Sequence, residues 1–172
     1  MQQFTYRVHK TFQRPKKMAL KDEWGQALFL LHRKRHSFMA GIFNVLLSSG
    51  LPYTYIITQL DGKPFYSTEC SFPGFGYRIL DHQSQKSGRV AGHRVQLIEV
   101  AYSFKLGNRS YYFEKDFAGT GHLKCDDTEI AAVSMSNLIV SSDLDVVHVE
   151  AVNKEVASLA AVLFHTFFYY NA

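Results

Sequence analysis

Hydrophobic and polar residues alternate along most of this chain, in short segments bounded by turn residues. Near the start, Phe4, Tyr6 and Val8 alternate with polar neighbours, as in a strand that buries one face. Eleven or twelve such segments follow one another, a longer apolar run at Phe38–Leu47 among them, and no sustained helical period interrupts them. The pattern therefore predicts a mainly β, antiparallel fold over residues 1–152.

Turn residues divide these segments into hairpins. The strongest signal is Asp61-Gly62, between Tyr53–Leu60 and Lys63–Cys70. We expect a type I′ turn there, because this turn needs positive φ at both central residues and Asp-Gly suits it. The sequences Asp22-Glu23-Trp24-Gly25 and Gly107-Asn108 predict two further hairpins.

The C-terminal segment has a different pattern. Val156–Tyr170 is a run of 15 residues without a charged side chain, and its apolar residues fall on all sides of a helical projection, which implies burial all round. Asn153 is a suitable N-cap, and Glu155 lies in the first turn, where a carboxylate is favoured. We therefore expect a wrapped helix over residues 153–170. As a helix, the 15-residue run spans about 22 Å, which is short of a bilayer core of about 30 Å, so no transmembrane span is predicted.

The strand count and the buried helix indicate the same architecture. A barrel of about eight strands encloses only side chains, whereas about eleven strands can surround a helix. The sequence therefore predicts one domain over residues 1–172, a closed antiparallel β-barrel of about twelve strands that encloses a hydrophobic C-terminal helix. A β-sandwich with a packed helix is the alternative.

These elements, in this order, resemble the tubby-like superfamily, which includes tubby C-terminal domains, LURP-one-related proteins and phospholipid scramblases. The segments that carry the resemblance are MALKDEWGQALFLL, YIITQLDGKPFYSTEC, GYRILDHQSQKSG, IAAV and DVVHVEAVNKEVASLAAVLFHTFF. The short, single-domain LURP-one-related or bacterial tubby-like form is the nearer match. The resemblance implies a barrel filled by its own C-terminal helix. It also implies a non-enzymatic binding module, because tubby domains hold phosphoinositides with Lys and Arg side chains on the barrel surface.

Basic residues concentrate near the N-terminus. Residues 1–36 carry nine Lys or Arg against two acids, and the remainder carries ten against thirteen. Arginine offers a planar fork to phosphate and lysine a mobile point charge. We therefore predict a site for an anionic ligand at Arg14, Lys16, Lys17, Arg33, Lys34 and Arg35. On a strand, Lys34 would face away from Arg33 and Arg35, whereas in a loop all of residues 32–36 would be exposed. The alternative is a solvated edge that binds nothing.

Sequence motifs for catalysis or metal binding are absent. The pair His32 and His36 has a zinc-like spacing, but Arg33 stands where a metalloprotease has its Glu. The two cysteines lack CxxC spacing, and no Gly-x-Ser-x-Gly elbow occurs. His165, within the apolar run, is expected to be a hydrogen-bonded core residue. We therefore predict no enzyme, no cofactor and no metal.

The expected partner is an anionic phospholipid or membrane surface. The aromatic run Tyr111–Phe113, near Arg109 and Lys115, would suit single-stranded nucleic acid, but alternating aromatics on strands more often pack a core. A structural or protein–protein interaction module without a lipid ligand is the competing hypothesis. The N-terminus lacks a signal-peptide pattern, so we expect a cytoplasmic protein that can lie peripherally at a membrane.

Overall fold

The computed structural model describes residues 1–9, 17–34, 54–71, 76–94, 100–136 and 144–169, and the statements below refer to these residues. The predicted apolar run Phe38–Leu47 lies outside them. The strands are β1 (Gln2–His9), β2 (Met18–Asp22), β3 (Ala27–Arg33), β4 (Tyr55–Gln59), β5 (Pro64–Ser71), β6 (Gly76–Asp81), β7 (Lys86–Arg89), β8 (Ala91–Arg94), β9 (Val100–Leu106), β10 (Arg109–Lys115), β11 (Gly121–Cys125), β12 (Thr128–Ser136) and β13 (Leu144–Ala151). Helix α1 (Lys154–Phe164) follows and continues as a π-helical segment, His165–Tyr169.

The 13 strands form one antiparallel sheet in the order β7-β6-β5-β4-β3-β2-β1-β13-β12-β11-β10-β9-β8. The first and last strands pair along their whole lengths, from Gln2 opposite Ala151 to His9 opposite Leu144. The outermost strands, β7 and β8, are separated only by Val90, and they pair with β6 and β9 respectively. Residues 86–94 therefore bridge the remaining seam, which makes the sheet a nearly closed barrel and confirms the predicted architecture. The predicted count of about twelve strands is recovered when β7 and β8 are counted as one interrupted strand.

Helix α1 is enclosed by this sheet. Every residue from Ala157 to Phe164 is buried, and the helix contacts strands on several sides of the barrel: β1, β3, β4, β5, β12 and β13. The predicted cap is confirmed, because the Asn153 side chain accepts the backbone N–H of Val156 at 2.9 Å. Among the described residues, no helix combines the length and the hydropathy of a membrane span.

The helix changes from α to π geometry at His165, a feature that the sequence pattern did not predict. The hydroxyl of Thr166 donates to the carbonyl of Val162 at 2.7 Å and lies 2.9 Å from the hydroxyl of Thr68 in β5. A threonine that bonds back to the preceding turn bends a helix, and here the same hydroxyl contacts the barrel wall. Thr166 therefore links the altered turn to β5.

The predicted burial of His165 is confirmed, and its hydrogen bond stays a prediction. Its ring lies among the aromatic rings of Tyr6, Tyr55 and Tyr169, with centroids 5.4, 5.0 and 4.6 Å away. Burial lowers the pKa of His165 to about 3. The imidazole is therefore neutral inside the barrel.

Three hairpins share one loop geometry, at Asp22–Gln26, Gln59–Lys63 and Asp116–Thr120. In each, the glycine N–H donates to the carbonyl of the first residue at 3.0 Å, and the first residue's N–H donates to the fifth residue's carbonyl at 2.8 to 3.0 Å. The three glycines have φ of +80°, +87° and +85°. This is a type I turn followed by a left-handed residue, a common three-residue hairpin loop. The hairpins predicted at Asp22–Gly25 and Asp61-Gly62 are confirmed.

The type I′ turn predicted at Asp61-Gly62 is wrong. Only Gly62 of this pair has positive φ, and the carboxylate of Asp61 instead accepts the backbone N–H of Lys63 at 3.0 Å. A single left-handed glycine is enough because the loop has one residue more than a type I′ hairpin. Two consecutive residues with positive φ, as a type I′ turn requires, occur instead at Asp126 (+48°) and Asp127 (+66°), between β11 and β12.

The two sides of the seam approach each other closely at Gly88 in β7. A Cβ atom at this position would lie 2.0 Å from the carbonyl oxygen of Lys105 in β9. Val90, between β7 and β8, is bonded to β6, because its N–H donates to the carbonyl of Tyr77 at 2.8 Å. Only a residue without a side chain allows β7 and β9 to meet this closely.

We expect the substitution Gly88→Ala to lower the free energy of unfolding by about 1–3 kcal/mol, because the added methyl group forces two backbones apart. Urea unfolding followed by circular dichroism measures this loss. The exposed neighbour Arg89 provides the control, and Arg89→Ala should lower the free energy of unfolding by no more than about 0.5 kcal/mol. Equal stabilities of the two variants would show that the seam does not constrain the fold.

Candidate anion-binding face

The structure describes three of the six residues predicted to bind an anion. Arg14, Lys16 and Arg35 lie outside the described residues. Lys17 precedes β2 and is exposed, whereas Arg33 and Lys34, at the end of β3, are half-buried.

Arg33 and Lys34 lie on opposite faces of the sheet, as alternation predicts. Arg33 is directly opposite Tyr55, whose side chain is buried inside the barrel. Lys34 therefore lies on the outer face. Lys17 faces outward as well, because the next residue, Met18, is buried opposite Leu31. The pKa of His32 is lowered first by burial and then by the charge of Lys17. The structure thus brings Lys17 and Lys34 to one face and leaves Arg33 on the other.

The Lys34 ammonium group already has a partner. Its Nζ bonds to the carboxylate of Glu69 in β5. The two side chains are 33% and 41% exposed, so solvent screens the pair, which contributes at most about 1 kcal/mol to stability. Lys34 can therefore exchange Glu69 for another anion at little cost.

Strand register adds two arginines to this face. Glu69 lies directly opposite Arg78 of β6, and Arg78 lies directly opposite Arg89 of β7. The neighbours of these residues, Thr68 and Ile79, point into the core, so the charged residues point outward. Lys34, Glu69, Arg78 and Arg89 therefore form a line of three cations and one carboxylate across the outer wall, which we call the basic row.

Sequence reasoning missed Arg78 and Arg89. Arg78 is the one basic residue of β6, Arg89 shares β7 with Lys86, and neither arginine belongs to the basic N-terminal region. The available signal was their equal distance from the centre of the turn between β6 and β7, which makes them opposite in an antiparallel pair. Using this signal requires the start of β7 at Lys86, which leaves residues 82–85 as the turn.

Two imidazoles lie beside the basic row without adding charge near neutral pH. Burial lowers the pKa of His82, Lys34 lowers it further, and Glu69 and Asp81 oppose this shift. Burial likewise lowers the pKa of His32. The positive charge of this face is therefore carried by its Lys and Arg side chains.

A serine–histidine pair occurs here, but it does not supply a nucleophile. The hydroxyl of Ser67 lies 2.9 Å from Nε2 of His82, a distance that suits a catalytic pair. Ser67, however, has no exposed surface. A substrate therefore cannot reach its hydroxyl in this structure.

The aromatic run considered for nucleic-acid binding is divided between the two faces of β10. Phe113 is buried and contacts Phe168 of the π-helical segment, with ring centroids 5.0 Å apart. Tyr111 stacks on Phe104 of the neighbouring strand at 5.0 Å, and the ammonium group of Lys124 lies 6.0 Å from the ring of Tyr112. These contacts pack the barrel and do not form a stacking platform.

A protein-family model described as "Tubby C-terminal like domain" matches residues 4–170. The match runs from β1 to the end of the helical segment and so covers the whole barrel. No curated protein and no solved structure matches the chain.

The charges of the basic row should be visible in the titration of His82. We expect Lys34→Gln to raise the pKa of His82, because a cation that disfavours the imidazolium is removed. Glu69→Gln should lower it, because a carboxylate that favours the imidazolium is removed. NMR titration of the His82 ring protons measures both changes. As a control, Lys63→Gln, at the β4–β5 loop, should leave the pKa unchanged, and shifts of equal sign in the first two variants would contradict the arrangement.

Proposed function

The chain belongs to the Tubby C-terminal-like family, and from this membership and the basic row we propose that it is a non-enzymatic module that binds an anionic phospholipid headgroup at a membrane surface. The observation that supports the proposal is the line of three cations on one exposed wall, with a single carboxylate among them. Lys17 adds to the same face, and the proposed site also includes Arg14, Lys16 and Arg35, whereas Arg33 lies on the opposite face of β3. The proposed location is cytoplasmic and peripheral to the membrane.

The charge of the basic row sets the expected strength of binding. Three cations and one carboxylate leave a net charge of +2. Each uncompensated Lys or Arg near an anionic membrane contributes about 1 kcal/mol, and the effect decays over a Debye length of about 10 Å. The basic row alone therefore provides roughly 2 kcal/mol. Such attachment is reversible and sensitive to salt.

Vesicle sedimentation tests this proposal with two substitutions of opposite sign. We expect stronger binding to phosphatidylcholine vesicles that contain phosphatidylserine than to phosphatidylcholine alone, and weaker binding as salt increases. Lys34→Gln should weaken the binding about fivefold, because one cation is lost, and Glu69→Gln should strengthen it by a similar factor.

Lys63→Gln is the matched control, because Lys63 is an exposed lysine paired with Asp61 at the other end of the barrel. It should bind vesicles like the wild-type protein. Equal binding to anionic and neutral vesicles, or the same effect for Lys34→Gln and Lys63→Gln, would refute the proposal.

A second candidate function is protein binding without a lipid ligand, and the end of the barrel where α1 begins supports it. Four large apolar side chains are exposed on that end, at Met1 (65%), Trp24 (82%), Leu60 (57%) and Val152 (48%). Exposed apolar groups that gather in one region mark interaction surfaces. A single protein recovered at stoichiometric yield by the wild type and lost in Trp24→Ser, together with no vesicle binding, would favour this candidate.

A further inference from the structure

We propose that Arg78 and Arg89, together with the hydroxyl of Ser87, form a binding site for a phosphomonoester. This deepens the proposed function by naming the ligand chemistry, and it depends on that function only if the phosphate belongs to a lipid. The site lies on the outer face of the hairpin formed by β6 and β7.

The two arginines are placed to act on one ligand. They are directly opposite on adjacent antiparallel strands, a position in which Cα atoms are about 4.5–5.5 Å apart. Both side chains are exposed. The Nη2 group of Arg78 donates to the hydroxyl oxygen of Ser87 at 2.9 Å, so this guanidinium group leans toward β7. Both planar forks can therefore reach the same tetrahedral anion.

Without a ligand, this arrangement is unfavourable. Like charges directly opposite each other destabilise a strand pair. Among the described residues, neither arginine takes part in any of the ion pairs. An anion between the two guanidinium groups would attract both of them and offset their mutual repulsion.

The neighbouring carboxylates are already engaged. Glu69, opposite Arg78 on the other side, bonds to Lys34. Asp81 holds the turn that follows β6, because its carboxylate accepts the N–H groups of Gln83 and Ser84 at 3.0 and 3.1 Å and the hydroxyl of Ser84 at 2.6 Å. Neither carboxylate is left to neutralise the arginine pair.

The charge and shape of the site favour a phosphomonoester over a phosphodiester. A phosphomonoester carries about −1.5 to −2 charges near neutral pH and has three strong acceptor oxygens, which match two guanidinium groups. A phosphodiester carries one charge and two free oxygens. Ser87 strengthens the match, because its oxygen accepts from Arg78 and its own O–H can then donate to the third phosphate oxygen.

A matched pair of soluble probes tests the site in the intact protein. We expect methyl phosphate to cause saturable ¹H–¹⁵N chemical-shift changes in β6 and β7, with an affinity about tenfold higher than that of dimethyl phosphate. Arg78→Ala and Arg89→Ala should each abolish the preference, and Arg78→Lys should reduce it because the fork is lost. Arg109→Ala, at an exposed arginine of β10, is the control and should bind like the wild type. Equal affinities for the two probes, or an unchanged preference in the two alanine variants, would overturn the assignment.

Vesicles separate the two sources of phosphate and distinguish this inference from the proposed function. If the phosphate belongs to a lipid, vesicles with phosphatidic acid should bind more tightly than vesicles with phosphatidylglycerol, and Arg78→Ala should remove the difference. Binding of methyl phosphate without vesicle binding would support the site with a soluble ligand and refute the lipid function. Salt-sensitive vesicle binding that Arg78→Ala weakens by the same factor for phosphatidic acid and for phosphatidylglycerol would support the lipid function and refute the site.

Discussion

The rest of the structure depends on the enclosure of a helix that has no polar face. Every side chain from Ala157 to Phe164 is buried, and a helix that is apolar all round is stable in water only if other elements surround it. The sheet supplies that surrounding wall by pairing its first and last strands and by bridging the remaining seam with residues 86–94. The need to close around the helix explains why Gly88 meets the backbone of Lys105 so closely.

The same enclosure determines what the outer surface can do. Alternate residues of each strand point into the barrel and pack against the helix. Among them, Tyr102 stacks on Phe167 of the π-helical segment at 4.0 Å, and Thr68 contacts Thr166. The remaining residues face outward, and their relative positions follow from strand register. The pairing that seats Ile79 in the core therefore also sets Arg78 against Glu69 and Arg89. The surface charge pattern is thus a consequence of how the barrel closes.

Local patterns in the sequence were enough to predict the fold. Alternation predicted the strands, Asn153 predicted the start of the helix, and the all-round apolarity of Val156–Tyr170 predicted its burial. These features depend on neighbours within a few residues. The type I′ turn at Asp61-Gly62 was wrong because Asp-Gly also suits a loop with one left-handed glycine, and the choice depends on the loop length between paired strands.

The candidate site was harder to predict because its residues are distant in the sequence. The bond from Lys34 to Glu69 joins residues 35 positions apart, and nothing local to either residue indicates it. The opposition of Arg78 and Arg89 could have been predicted from the turn between them, but only with the correct start of β7. A density of basic residues indicates a charged region, whereas the pairing of strands decides which charges act together.

Enclosure of the helix is tested most directly by replacing a buried and an exposed phenylalanine, each in its own variant, with aspartate and measuring urea unfolding. Phe164 on α1 is 2% exposed and Phe117 at the β10–β11 loop is 87% exposed. We predict that Phe164→Asp loses at least about 4 kcal/mol of unfolding free energy or does not fold, because it buries an unpaired charge. Phe117→Asp should stay within about 0.5 kcal/mol of the wild type. Comparable stability of the two variants would contradict a barrel built around its own helix.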